Sequence, residues 1–234
     1  MPKMKSRTFA PRSDPVPIMP IILRSRLSEG TSLGIWHITE SEDALLSQVH
    51  LSGEDMLSLN GIRNGIRRKQ WLSCRALVQG FAPGGAAQIR YAASGQPCLQ
   101  GNPASISLSH AGDFSAAIYS ADRRAGIDIE LLRDRIFRVA DRFMSEEEQA
   151  RTAEPDLLAK LYIHWSAKEA VYKLYGGGLD IRNDIILAPF DYLCNGFGTV
   201  ASSVISGNHT REHPLRYLAT DGWIMVYTLD PAIR

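Results

Sequence analysis

Apolar and polar positions in this chain form short strand-like runs, interrupted by two long stretches of helical spacing. From Leu33, LGIWHIT is almost wholly apolar and reads as a buried strand. Ser41 then offers a capping oxygen to a short helix in SEDALLSQVH. Over about 62–81, Trp71, Cys74, Val78 and Phe81 recur three and four apart, the buried stripe of a longer helix that Gly84-Gly85 ends. AQIRYAASGQPCL predicts a strand, a turn at Ser94-Gly95 and an extended piece held by Pro97. In ASISLSH, Ile106 and Leu108 alternate with serines, as in a half-buried strand. FSAAIYS and AGIDIEL follow as strands on either side of the polar turn ADRRAG.

The second half repeats this order. Helices are expected at about 135–144 and 145–152, and a longer one after Glu154-Pro155, with the proline in its first turn. That helix, DLLAKLYIHWSAKEAVYKLY, stops at Gly176-Gly177-Gly178. DIILAPF, GTVASSVIS, LRYLAT and GWIMVYTL are strand-like. Helix followed by strands in both halves predicts an α+β fold of two similar subdomains, residues 21–121 and 122–234. Residues 1–20, with five prolines among lysines and arginines, read as a disordered basic tail.

Composition narrows the function. A net charge of +1 supplies no whole-molecule field for nucleic acid or a membrane surface, so any anion site must be a local cluster. Cys74, Cys98 and Cys194 lack the spacing of a disulfide framework or a zinc site, which suits a reducing, cytoplasmic setting. No apolar run reaches membrane-spanning length, and prolines interrupt PVPIMPIIL as a signal-peptide core.

GIDIE, residues 126–130, holds the first chemical signal. Residues two apart on a strand share a face at about 6.7 Å, so Asp128 and Glu130 point one way while Ile127 and Ile129 point to the core. Two ionised carboxylates at that spacing repel by roughly 2.5 kcal/mol at an effective dielectric of about 20. Solvent would screen that repulsion, and a divalent cation would turn it into attraction. WSAKEAVYK, 165–173, holds the second signal: Leu161, Trp165 and Tyr172 form an apolar face, with Glu169 and Lys173 beside it and Lys168 on its other edge. Glu169 and Lys173 would suit a simple i,i+4 salt bridge, or a third carboxylate with lysines facing phosphate. SLSHAG places His110 at the end of a strand, and Arg68 and Arg75 share one face of the long helix beside Arg67 and Lys69.

Taken in order, RRKQWLSCRALV, YAASGQPCL, SISLSHAG, GIDIE, RFMSEEE, WSAKEAVYK and YGGGLDI resemble the 4′-phosphopantetheinyl transferase family, in particular its longer, surfactin-synthetase-activating type with two similar halves related by a pseudo-twofold. The resemblance covers about residues 60 to 190. It implies Mg²⁺-dependent transfer of 4′-phosphopantetheine from coenzyme A to a serine of an apo acyl or peptidyl carrier protein, with Mn²⁺ as a substitute ion and adenosine 3′,5′-bisphosphate released. It implies Asp128, Glu130 and Glu169 as metal ligands, with Glu169 also the base, and Lys173 on the pyrophosphate with Lys168 nearby. His110 would meet a coenzyme A phosphate, Gln96 and Pro97 the adenine, and Arg68 or Arg75 the 3′-phosphate. Glu148 falls at the family's acidic position after RFMS, and Arg133, Arg135 and Arg138 are candidates for the carrier surface by charge. A monomer with an internal pseudo-dimer is implied. Gln96 and Gly177 stand where the family commonly has lysines; the first removes a positive charge near the nucleotide, the second would alter contact with the carrier or the phosphates. Of the alternatives, a metal-dependent nuclease lacks a basic stripe with interleaved aromatics, and a docking module without catalysis leaves the three carboxylates unexplained.

Overall fold

The computed structural model describes residues 21–85 and 87–230; the tail expected over residues 1–20 lies outside them. The first half runs β1 (Ile21–Ser28), β2 (Thr31–His37), α1 (Glu42–Leu46), α2 (Gly53–Gly61), α3 (Gly65–Phe81), β3 (Ile89–Tyr91), β4 (Pro97–Leu99), β5 (Ser105–Ala111) and β6 (Phe114–Ser120). The second runs β7 (Ala125–Leu131), a 3-10 turn (Asp134–Arg138), α4 (Ala140–Phe143), α5 (Glu146–Arg151), α6 (Leu157–Tyr175), β8 (Ile185–Leu187), β9 (Gly196–Ser206), β10 (His209–Ala219) and β11 (Trp223–Leu229). The strands form two antiparallel sheets, in order β1-β2-β6-β5 and β7-β11-β10-β9-β8, with β3-β4 a separate hairpin. The fold is α+β.

Three apolar clusters set the layers. Trp36, Ala117 and Tyr119 of the first sheet pack on Trp71, Leu72 and Val78 of α3. Ile224 and Val226 of the second sheet pack on Ile163, Ala167 and Val171 of α6. The opposite faces of the sheets meet each other through Leu33, Ile35, Ala116, Ile118, Ile127, Ile129 and Met225. The alternation read in GIDIE is therefore real: its isoleucines fill the space between the sheets. Its polar face turns towards α6 rather than solvent, and Asp128 is only 4% exposed.

The glycine opening GIDIE permits that arrangement. A Cβ on Gly126 would stand 1.9 Å from the Ala170 carbonyl oxygen of α6, so only glycine lets helix and strand approach this closely. At the helix's other end Gly176 (φ 76°) takes up the left-handed cap that stops α6 where the sequence indicated.

Hydroxyl groups join the two sheets at one edge. The N–H groups of Ala125, Ile127 and Ile129, on the side of β7 away from β11, are accepted by Ser105, Ser107 and Ser109 Oγ at 3.1, 3.1 and 3.2 Å. The serines that alternate with apolar residues in β5 thus satisfy an edge strand's donors without a backbone ladder.

Element boundaries differ from expectation where caps decide them. α3 starts at Gly65 rather than 62, because Asn64 Oδ1 accepts the Arg67 N–H at 3.0 Å while Ile62 is already extended. α6 starts at Leu157, beyond Pro155, because Asp156 is left-handed (φ 65°) and breaks the turn. The region 135–152 is split by Val139 (φ −129°) and by the capping box of Ser145 and Glu148. α2 had no apolar stripe to announce it, since only Asp55 and Leu59 are buried in it.

Candidate active site

A cavity of about 440 Å³ opens where α3, the β3–β4 hairpin, β5, β7 and the end of α6 converge. α3 contributes Arg67, Trp71, Cys74 and Arg75; the hairpin contributes Tyr91, Gln96 and Pro97. β5 contributes Ser109 and His110, β7 contributes Asp128 and Glu130, and α6 contributes Tyr172, Lys173, Gly176 and Gly177.

Acid and base meet on the β7–α6 wall. Lys173 Nζ lies 2.7 Å from Asp128 Oδ1, 3.2 Å from the Ile127 carbonyl and 3.3 Å from Ser109 Oγ. Lys173 pairs with Asp128 and forms no ion pair with Glu169. Ser109 Oγ donates to Asp128 Oδ1 at 2.8 Å, whereas Asp128 Oδ2 is buried and without a hydrogen-bond partner. Glu130 Oε1 accepts from Trp165 Nε1 at 3.0 Å. Burial, then the neighbouring Asp128 charge, raises the Glu130 carboxyl above its ordinary pKa. Glu169 is half-buried and also raised, first by burial, with Lys173 opposing and Asp128 reinforcing. It therefore feels both cavity residues, but it does not line the cavity.

The expected three-carboxylate cluster is not preformed. Among the described residues no three His, Cys, Asp or Glu side chains stand close enough together to hold a metal ion. The physical reason on the Asp128 side is the lysine ammonium, which already balances that carboxylate. The donor set nevertheless fits a hard divalent cation: two carboxylates on one strand face, one carrying a buried oxygen that nothing satisfies.

Other expectations need correction. Lys168 is not near the cavity. It is fully buried, 2.8 Å from Glu148 Oε2, in a cluster with His164 on the far side of α6. Glu148, 0% exposed, accepts from the Ser145 and Leu187 N–H groups as well. Burial alone would raise its carboxyl, but the adjacent His164 at 3.6 Å and the bonds from Lys168 and the Leu187 N–H prevail and hold it at about 2. Arg68 is also absent from the cavity: it pairs with Glu42 at 2.6 Å and binds the carbonyls of Leu59 and Ile62 at the end of α2. Arg67 takes that place, exposed on the cavity rim. The signal was available, because 67, 71 and 75 repeat every four residues along one face.

Arg75 does line the cavity, but its guanidinium is 4% exposed, stacked 3.2 Å over Trp71 and paired with Asp55 at 3.3 Å. Burial lowers its pKa. His110 is brought to the cavity wall, and burial, then Arg67 and Lys173, depress it to about 4. In the free chain at neutral pH it offers an N–H and not a charge. Gln96 packs against Gly176, and its Nε2 donates to the Lys173 carbonyl at 3.3 Å, tying the hairpin to the end of α6. Arg133, Arg135 and Arg138 are exposed around Phe137, outside the cavity.

A helix of each half packs on its own antiparallel sheet, and two acids, a lysine and two arginines line one cavity at the seam. Residues 124–225 match the family model of the 4′-phosphopantetheinyl transferase superfamily. The 4′-phosphopantetheinyl transferase AcpT of Salmonella typhi is 31% identical over 124 residues, which are 48% of this chain and 62% of that relative. The AcpT of Escherichia coli K12 is 32% identical over 120 residues, 48% of this chain and 60% of the relative. The 4′-phosphopantetheinyl transferase ffp of Bacillus subtilis is 33% identical over 109 residues, 42% and 46% of the two chains. In each case the match spans less than two thirds of the relative's length.

Proposed function

We propose that this protein transfers the 4′-phosphopantetheine group of coenzyme A to a serine hydroxyl of an apo acyl or peptidyl carrier protein and releases adenosine 3′,5′-bisphosphate. The observation that carries the reading is the meeting of Lys173 with Asp128, whose Oδ2 is buried and unpartnered, inside the matched segment and on a cavity also lined by Arg67, Arg75 and His110.

In this reading the adenosine end lies along the hairpin, against Gln96 and Pro97, with Arg67 and His110 on the phosphates. Asp128 and Glu130, with Glu169 from α6, would hold Mg²⁺ or Mn²⁺, and the ion when bound supplies positive charge to the pyrophosphate. Lys173 would set its ammonium beside the pyrophosphate and offset the negative charge that builds on the leaving phosphate oxygen as the bond breaks. The carrier serine oxygen attacks the phosphorus that bears pantetheine. The bond from that phosphorus to the bridging oxygen breaks, and its electrons leave with adenosine 3′,5′-bisphosphate. Glu169, whose half-burial raises its proton affinity, takes the serine proton directly or through water.

The same reading makes residues 21–121 and 122–234 two subdomains related by a pseudo-twofold, α3 on the first sheet answering α6 on the second. The protein would be of the surfactin-synthetase-activating type, act as a monomer in the cytoplasm and serve carriers of fatty acid, polyketide or peptide synthesis. Among the described residues no helix is long and apolar enough to cross a membrane. Arg133, Arg135 and Arg138 around Phe137 would face an acidic carrier. Intact-mass analysis of apo carrier proteins incubated with coenzyme A and Mg²⁺ tests the proposal: one added phosphopantetheine on a serine is expected. No added mass across a panel of acyl and peptidyl carriers would refute it.

A further inference from the structure

The three rungs that join β5 to β7 are not equivalent. Ser105 and Ser107 accept a single β7 N–H each. Ser109 accepts the Ile129 N–H at 3.2 Å and the Lys173 ammonium at 3.3 Å, and donates its proton to Asp128 Oδ1 at 2.8 Å. A hydroxyl has one proton and two lone pairs, so every hydrogen-bonding capacity of Ser109 is used.

The consequence falls on Asp128. The terminal torsion of an aspartate is broad and nearly two-fold, so by itself its carboxylate does not distinguish one oxygen from the other. Here both bonds, from Ser109 and from Lys173, go to Oδ1, and Oδ2 is left buried with no partner. We propose that Ser109 is a positioning residue: its hydroxyl pins Asp128 by Oδ1 to the seam between the sheets and so keeps Oδ2 presented to a divalent cation. Lys173 alone would not do this, because its long stem can follow a bound pyrophosphate and leave Oδ1 free to turn. The inference rests on the metal reading above only for the identity of the ligand.

Titration of the ligand-free chain with Mn²⁺, followed by the electron paramagnetic resonance of the free ion, tests it on wild type, Ser109→Ala and Ser105→Ala. Each variant removes one hydroxyl acceptor of a β7 N–H, so both should melt at similar temperatures. Ser109→Ala should bind Mn²⁺ about 10- to 100-fold more weakly, as expected when the group holding a ligating carboxylate is lost. Ser105→Ala should keep wild-type affinity. Equal affinity in Ser109→Ala and wild type, or an equal loss in Ser105→Ala, overturns the proposal. A wild-type chain that binds no Mn²⁺ sinks the metal reading and this one together, and is recognisable because no variant is then needed.

Discussion

Replacing Gly126 by alanine adds one methyl group at the tightest point between β7 and α6. The new carbon would lie 1.9 Å from Ala170 O, 2.8 Å from Ala170 C and 3.1 Å from Leu174 N. All three are backbone atoms, so no side chain can rotate away. Restoring a carbon–oxygen separation of about 3.3 Å pushes α6 from the strand by more than about 1 Å. Overpacking of this kind costs about 1–3 kcal/mol, and the absence of a yielding side chain puts this site at the upper end. The smaller entropy of unfolded alanine returns about 0.4–1 kcal/mol. At about 2–4 °C per kcal/mol for a domain of this size, the melting temperature should fall by about 4–10 °C. Function should suffer more. Lys173 and Asp128 sit on opposite sides of that contact, 2.7 Å apart, and the shift takes them out of hydrogen-bonding range. A displacement of about 1 Å in a positioned group costs roughly 100-fold in rate. Scanning calorimetry and initial rates of carrier modification measure both effects. A variant with wild-type melting and turnover would show that α6 has slack against β7, and the account of the GIDIE glycine would be wrong.

Further outcomes separate residues that look alike in the sequence. Lys168→Ala leaves Glu148 buried and unpaired, which should cost about 3–5 kcal/mol and lower the melting temperature by more than about 6 °C. Because Glu148 is held at about 2 against an ordinary 4.5, its share of wild-type stability is complete above pH 4.5 and is lost as pH falls towards 2. Circular dichroism against pH should therefore place acid unfolding in that window for wild type and at higher pH for Lys168→Ala; coincident curves refute the buried-pair argument. Arg67→Ala should weaken calorimetric binding of adenosine 3′,5′-bisphosphate about 10-fold, the worth of one charge-assisted contact, with little change in stability. Arg68→Ala should do the reverse, since Arg68 pairs with Glu42 and caps α2, and weaker binding in that variant alone would return the nucleotide site to Arg68.

Local order was readable in the chain because short-range chemistry sets it. Alternation in ASISLSH and GIDIE marks strands, and the three- and four-residue stripe through Trp71, Cys74 and Val78 marks α3; Gly176 marks the end of α6. α2 was not readable, since it buries only two residues and is held by its Ser52–Asp55 capping box. The pairing of sites was less legible still. Lys168 and Lys173 stand five apart on one helix, a turn and a half, and therefore project to different faces. One goes to the Glu148 cluster and the other to the cavity. Arg67 and Arg68 are separated in the same way by about 100° of helix.

What the sequence determined alone is which strand and helix bear the charged side chains: Asp128 and Glu130 on one face of β7, Lys173 and Glu169 on α6. Periodicity assigns a residue to a face, and composition assigns the face an environment, but neither measures distance between segments. Only the packed molecule decided that Asp128 would be buried against α6, that a lysine would balance it, and that Ser109 would reach across from β5 to bond the same carboxylate oxygen. Those outcomes depend on side chains from segments 19 and 45 residues away. The layering that brings them together is set by where the apolar faces of two sheets and two helices can be removed from water at once.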